Sequence, residues 1–183
     1  MSIDIPGHTT PAAGFEVPLA MLSACHDRIQ RQCATLRRLV PHLARHGADG
    51  PARSAAAGVL RYFETAAVHH HADEEVDLFP ALLESMAGSD AVCLRQLVAA
   101  LTAEHRELEL RWRCIRVVLE RVAAGQPASL EAGAVQALVE LYRRHIEREE
   151  GELLPLAARL LDDALQDRVG HAMRRRRGVD GAV

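Results

Sequence analysis

The sequence predicts an all-α fold, an antiparallel up-down four-helix bundle, and three observations carry that expectation. Ala, Leu, Arg and Glu dominate while aromatic residues make up only 3% of the 183 positions, a composition suited to packed helices rather than to a sandwich or barrel. Pro and Gly cluster at positions 6 to 18, 47 to 51, 88 to 90 and 125 to 129, dividing the chain into four long segments. Within each segment apolar residues recur at spacings of three and four, which puts them on one helical face. With 49% hydrophobic residues, the length suits a single domain with a sizeable core.

The first helix is predicted from Pro18 to His46: a proline opens it and Gly47 closes it. Its apolar line is Leu19, Leu22, Ile29, Cys33, Leu36, Val40 and Leu43, and His26 falls on that line. The second runs from Ala52 to Met86, with Phe63, Ala67, Leu78 and Leu82 near the face that carries His70 and Glu74. The third, Asp90 to Ala124, aligns Leu94, Val98, Leu101, Leu108, Trp112, Ile115, Leu119 and Val122, with His105 in the same stripe. The fourth, Ser129 to Met173, aligns Leu138, Leu141, His145, Glu149, Leu153 and Leu156. Pro80 and Pro155 are expected to kink or end the second and fourth helices. The bundle thus occupies residues 18–173, between a disordered leader (1–17) and an Arg-rich tail (174–183).

The chain also repeats itself. "HHADEEVDLFP" at 70 to 80 recurs as "HIEREEGELLP" at 145 to 155, matching His, the Glu pair, Leu and Pro; "CHDRI" around His26 answers "EHREL" around His105. Residues four apart share a helix face, so His70 with Glu74 and His145 with Glu149 each pair a nitrogen with a carboxylate donor. With His26 and His105 from the other two helices, the bundle centre gathers four imidazoles and two carboxylates, the glutamates being placed to bridge. Buried carboxylates without partners cost several kcal/mol, and a cation relieves that cost. Two metals about 3.5 to 4 Å apart need such bridges to offset their repulsion. The mixed donor set favours iron and also admits manganese or zinc, whereas calcium and magnesium prefer oxygen alone.

Other polar residues take blander readings. Asp73, Glu75, Arg148 and Glu150 fall off the metal face and read as solvated, as does the Arg tail. Of His69, His70 and His71 only His70 is placed on that face, since helix neighbours are rotated by about 100°. His42, His46 and His171 read as surface or end-cap residues, and His8 falls in the leader. Glu109 is a candidate extra ligand that reads first as a solvated edge residue, and Tyr142 reads as packing. The four cysteines, with no C-x-x-C pair among them, read as small core residues, Cys25 beside His26 being the one to watch.

At the two H-x-x-x-E-E segments ending in Leu-Phe-Pro and Leu-Leu-Pro the chain resembles the hemerythrin-like family, or HHE cation-binding domain, over roughly residues 18 to 170. The resemblance implies a hemerythrin-like antiparallel bundle around a cofactor of two non-haem iron ions bridged by carboxylates. Carried over position by position, His26, His70, His105 and His145 are the terminal ligands and Glu74 and Glu149 the bridges. Oxygen-carrying hemerythrins place a further His where this chain has Glu109, and an Asp five residues after the last His where this chain has Glu at four. The pattern is closer to bacterial di-iron proteins.

A formal charge of −3 and a single basic run argue against a nucleic-acid partner. All 22 basic residues are Arg, which excludes Schiff-base and lysine phosphate-loop chemistry. No apolar stretch is long enough to span a membrane and no signal peptide is present, so a cytoplasmic protein is expected. Two functions fit this reading. One is a binding or sensing protein for a small diatomic ligand such as oxygen or nitric oxide, or a handler of iron. The other is a di-iron enzyme of the oxidative or nitrosative stress response, consuming peroxide or NO or repairing iron-sulfur clusters. A helical interaction domain with a vestigial centre is disfavoured by the complete donor sets in both repeats. Catalytic residues and any protein partner are not identified by the sequence.

Overall fold

A computed structural model of the protein describes residues 14–86 and 90–179. Leader residues 1–13 with His8, the breaker at 87–89 and tail residues 180–183 lie outside the described residues. The helices are α1 (Pro18–His46), α2 (Gly50–Glu64), α3 (Ala66–Ala72), α4 (Phe79–Ser85), α5 (Asp90–Ala123), α6 (Ala132–Arg148), α7 (Leu154–Leu160) and α8 (Asp163–Arg176). Two π-helical segments, Asp73–Leu78 and Glu149–Leu153, join α3 to α4 and α6 to α7. The fold is the all-α hemerythrin-like bundle: α1 packs on α2, α2 on α5, α5 on α6, and α6 returns to α1, closing a ring of four. Among the described residues no helix is long and apolar enough to cross a membrane.

Local chemistry sets the boundaries. Pro18 opens α1, and Gly47, at φ 63°, closes it in a conformation that favours glycine. Asp49 caps α2 by accepting from the Ala52 N–H at 2.9 Å. The second predicted helix is interrupted at Thr65, whose hydroxyl donates to the Arg61 carbonyl at 2.6 Å, a back-bond that bends helices. Further along, Pro80 and Pro155 fall in the first turns of α4 and α7, each just after a π segment that interrupts the predicted helix. A proline lacks the N–H of the α ladder and its ring crowds the carbonyl four residues back. The chain answers by widening one turn: the Phe79 N–H donates to the Glu74 carbonyl and the Leu154 N–H to the Glu149 carbonyl, both five residues back. The two glutamates on the predicted metal face therefore sit in matching π turns.

The fourth predicted helix is also divided. It stops after Leu160, and Asp162 caps a separate helix α8 by accepting from the Leu165 N–H at 2.9 Å. Helix α8 crosses α1 and the first π segment as a fifth element outside the ring. Gly170 permits the close approach, because a Cβ there would collide with the Phe15 carbonyl. The residues read as a solvated Arg tail begin inside this helix. Arg174 and Arg177 lie over the Phe15 ring at 5.6 and 5.8 Å, and Arg176 and Arg177 pair with a buried Asp73.

Two apolar clusters fill the bundle. One contains Ile29, Leu36, Phe63, Leu108, Trp112, Leu138 and Tyr142; the other contains Leu22, Leu78, Leu82, Leu94, Leu101 and Leu153. Helices α1 and α5 run from one cluster to the other, and the α2–α4 and α6–α7 rods do the same through their π segments, so the polar layer between the clusters is sealed at both ends. Cys25 and Cys33 are buried as expected, but Cys93 and Cys114 are exposed because they fall on the outer face of α5.

Candidate metal centre

The polar layer consists of His26 from α1, His70 from α3, Glu74 and Glu149 from the π turns, His105 from α5 and His145 from α6, each at most 2% exposed. The i,i+4 spacing brings His70 Nε2 to 3.4 Å from Glu74 Oε1 and His145 Nε2 to 3.1 Å from Glu149 Oε1. His26 Nε2 lies 3.0 Å from Glu149 Oε2 and 3.9 Å from Glu74 Oε1. His105 Nε2 lies 3.4 Å from Glu74 Oε2, 3.8 Å from Glu149 Oε1 and 3.0 Å from His145 Nε2. All six residues singled out from sequence thus converge on one spot. Each carboxylate splits its oxygens the same way, one toward His26 and one toward His105. The donors form two sets of four, His26–His70–Glu74–Glu149 and Glu74–His105–His145–Glu149, each with its atoms within 4.8 Å of one another, and both share the two glutamates.

Four carboxylate oxygens, His26 Nε2 and both nitrogens of His70 are wholly buried without a hydrogen-bond partner. Such atoms are costly to bury, by about 1 to 3 kcal/mol each. Cations in the layer would supply the missing partner to the carboxylate oxygens, to His26 Nε2 and to one nitrogen of His70, and imidazole nitrogen with carboxylate oxygen is a donor set that iron, manganese and zinc accept.

Each imidazole beyond His70 is aimed by a carboxylate that the sequence reading assigned to the surface or did not consider. His26 Nδ1 donates to Glu150 at 2.6 Å, His105 Nδ1 to Glu75 at 2.7 Å, and His145 Nδ1 to Glu104 at 2.9 Å. An ionised carboxylate only accepts, so Nδ1 must carry the proton and Nε2 keeps its lone pair for the centre. Arg106 and Arg148 hold Glu75 and Glu104 in place at 2.5 and 2.7 Å. Glu75, Glu150 and Arg148 are therefore not spare surface charges, and Asp73 is fully buried against Arg176 and Arg177. These partners come from a different ring helix in every case, which is why helical spacing could not reveal them. Glu109 stays exposed and pairs with Arg113 at 2.5 Å. The Tyr142 ring packs 5.6 Å from Phe63, His42 bonds Asp49 at 2.9 Å, and His46 and His171 are exposed. Because Glu104 and Glu150 orient imidazoles of the donor cluster, Glu104→Ala and Glu150→Ala are each expected to weaken metal binding roughly 10- to 100-fold. Glu109→Ala is expected to leave it unchanged, a contrast that chelator competition on the three variants measures.

The electrostatics of the metal-free layer follow from its crowding. Burial opposes charge on His26, but hydrogen bonding to Glu149 and its charge, with Glu74 and Glu150 behind it, prevail and raise its pKa to about 9. In the same way burial is outweighed at His105 by bonds to Glu149 and Glu74, which raise it to about 10. His70, buried and beside His26, is held well below the ordinary histidine value and stays neutral. Burial and then the charge of Glu149 push Glu74 up to about 7. Without metal, protons occupy this layer in its place.

Residues 17–157 match the profile of the hemerythrin HHE cation binding domain. The chain belongs to that family. An uncharacterized protein of Haemophilus influenzae is 30% identical over 167 residues, 91% of this chain and 94% of its own. The HHE fold and the buried His/Glu cluster make this a metal-binding domain.

Proposed function

We propose that this HHE domain is a non-haem di-iron protein that binds a diatomic molecule such as oxygen or nitric oxide, in a sensing or iron-handling role. The observation that carries the reading is the pair of four-donor sets sharing Glu74 and Glu149. One metal would leave half of the imidazoles and one oxygen of each glutamate without a partner, whereas two satisfy all of them. His26 and His70 would hold one ion, His105 and His145 the other, and the two carboxylates would tie them together. When bound, iron supplies reversible electron transfer and positions for a small ligand.

The remaining work falls to the chain. Glu75, Glu104 and Glu150 fix the imidazoles in their ligating orientation. The flanking apolar clusters exclude bulk water from both ends. A surface cleft of about 300 Å³, lined by Val68, His71, Glu75, His105, Arg106 and Glu109, lies against His105 on the side of the layer and is wide enough to admit a diatomic molecule as far as that ring. Stopped-flow spectra of the reduced, iron-loaded protein mixed with oxygen, nitric oxide or peroxide test the proposal. A spectral change that reverses when oxygen or NO is removed is the expected result. Multiple-turnover loss of peroxide would instead favour the enzyme reading, and no response to any of the three would contradict both.

A further inference from the structure

We propose that Tyr142, Phe63 and Trp112, joined to the metal layer by the stacked rings of His71 and His105, form an electron path to the surface, with Trp112 as the donor at its outer end. The inference rests on the two-metal reading above and adds to it a route by which oxidising equivalents leave the layer. The chain has only six aromatic side chains, one Trp, two Tyr and three Phe. All except Phe15 belong to one connected array with His71 and His105. From the layer outward, His71 stacks on His105 at 4.0 Å and 15°, and Tyr142 on His71 at 6.4 Å and 25°. Phe63 lies 5.6 Å from Tyr142, and Trp112 lies 4.6 Å from Phe63, with Tyr62 a side branch at 5.7 Å. These centroid spacings are those of direct aromatic contact.

Packing alone does not call for these residue types. The apolar cluster on the other side of the layer is filled by aliphatic side chains and Phe79, with no Tyr or Trp. Both Tyr and the Trp collect instead on one side, in a fixed order: Tyr142 at the inner end, Phe63 between, and Trp112 at the outer end with 8% of its surface exposed. Tyr and Trp are among the most readily oxidised side chains, and electron transfer slows steeply with distance, so an oxidisable ring at each end divides one long transfer into two short ones. A peroxide takes up two electrons and two protons to become two waters. When iron in the layer gives one electron, the second leaves Tyr142 together with its phenolic proton, which passes to water in the cleft that Tyr142 lines with Gln30 and Arg37. Trp112 then returns an electron to Tyr142, which takes a proton back from that water, and the indole releases its N–H proton to solvent. A small reductant at the surface, a thiol or ascorbate, restores Trp112. The buried His and Glu donors are thereby spared the oxidation.

Freeze-quench electron paramagnetic resonance of the iron-loaded full chain, mixed with excess hydrogen peroxide, tests the path. Trp112 is the only tryptophan, so an organic radical signal that narrows in protein labelled with deuterated tryptophan belongs to it. That signal is expected in wild type. It is expected to be lost in Tyr142→Phe, which keeps the ring and removes the phenol that divides the transfer. A second measurement needs no variant: peptide mass spectrometry of wild type after peroxide is expected to find Trp112 oxidised in the iron-loaded protein and unmodified in the zinc-loaded protein, since zinc has no redox chemistry. Two irons bound without an organic radical, a tryptophan signal of wild-type yield in folded Tyr142→Phe, or equal oxidation of Trp112 with zinc would overturn the path and leave the array as packing. Fewer than two irons per chain in the same wild-type samples would overturn the two-metal reading itself, and the path with it.

Discussion

Replacing Arg176 and Arg177 together by Ala is expected to destabilise the protein by about 3 to 5 kcal/mol, the usual result of stranding one partner of a buried ion pair. Asp73 is fully buried on the first π segment, next in sequence to Glu74. Arg177 Nη2 reaches Asp73 Oδ2 at 2.5 Å, Arg176 also bonds Asp73, and Arg176 Nη2 reaches Asp77 at 2.5 Å. Both arginines are mostly buried themselves, at 19 and 16% exposure, so water cannot replace them. At roughly 2 to 4 °C per kcal/mol for a chain of this size, the melting temperature is expected to fall by about 10 °C. Adding Asp73→Asn to the double variant is expected to recover part of the loss, since the stranded charge is gone. Surface pairs give the opposite expectation: Arg143, half-exposed between Glu140 and Glu147, can be replaced at a cost of under about 1 kcal/mol. Thermal unfolding followed by circular dichroism measures all three. A double variant within 1 kcal/mol of wild type would mean that α8 does not lock the π turn.

The second large effect is the stability gained from metal, and its pH dependence follows from the shifted groups. Binding only the native state adds about 4 kcal/mol when free metal exceeds Kd a thousandfold. His26 and His105 have folded pKa values of about 9 and 10, above the ordinary 6.5. Their contribution to the apoprotein is complete below about pH 6.5 and is lost as pH rises through those values. Glu74, raised to about 7, favours the apoprotein fold while protonated; that contribution is present below its ordinary value and lost as pH rises through about 7. Apoprotein stability therefore declines between about pH 4.5 and 7 through Glu74 and between about pH 6.5 and 10 through His26 and His105. Metal binding needs the same imidazoles neutral and the same carboxylates ionised, so it strengthens over that range. The gap in melting temperature between iron-loaded and apoprotein is expected to widen from pH 6.5 to 9. The ordinary histidine value alone would place the change near pH 6; the crowded layer moves it upward. A gap that stayed constant or narrowed over this window would show that these protons do not compete with the metal.

Much of the site was legible because it is written along single helices. His70 with Glu74, His145 with Glu149, and the two lone histidines in apolar stripes are helical-period signals, and all six residues meet where that period places them. The carboxylates that orient them were not legible, because His26–Glu150, His105–Glu75 and His145–Glu104 are contacts between helices, and spacing within one helix says nothing of them. His71 was set aside by the same 100° argument that selected His70; the neighbouring His105 ring brings it inward nonetheless. The apolar pattern runs through Leu160 and Leu161 into α8, masking a helix break that Asp162, with its capping side chain, could have signalled. Without that break the Arg tail has no reason to fold back on Asp73. The π turns share one cause, a proline six residues after each glutamate, which sequence can flag as a disturbance without saying that the coil widens.

In the proposed di-iron centre, one buried layer would hold two metal ions through two shared carboxylates. Elemental analysis after anaerobic loading with Fe(II) and removal of excess tests it most directly, with wild type, Glu74→Ala and Glu149→Ala compared. The expected result is close to two irons per chain in wild type and a sharp fall in both variants, because each glutamate serves both donor sets. One iron or fewer in wild type, or full occupancy in the two variants, would contradict it.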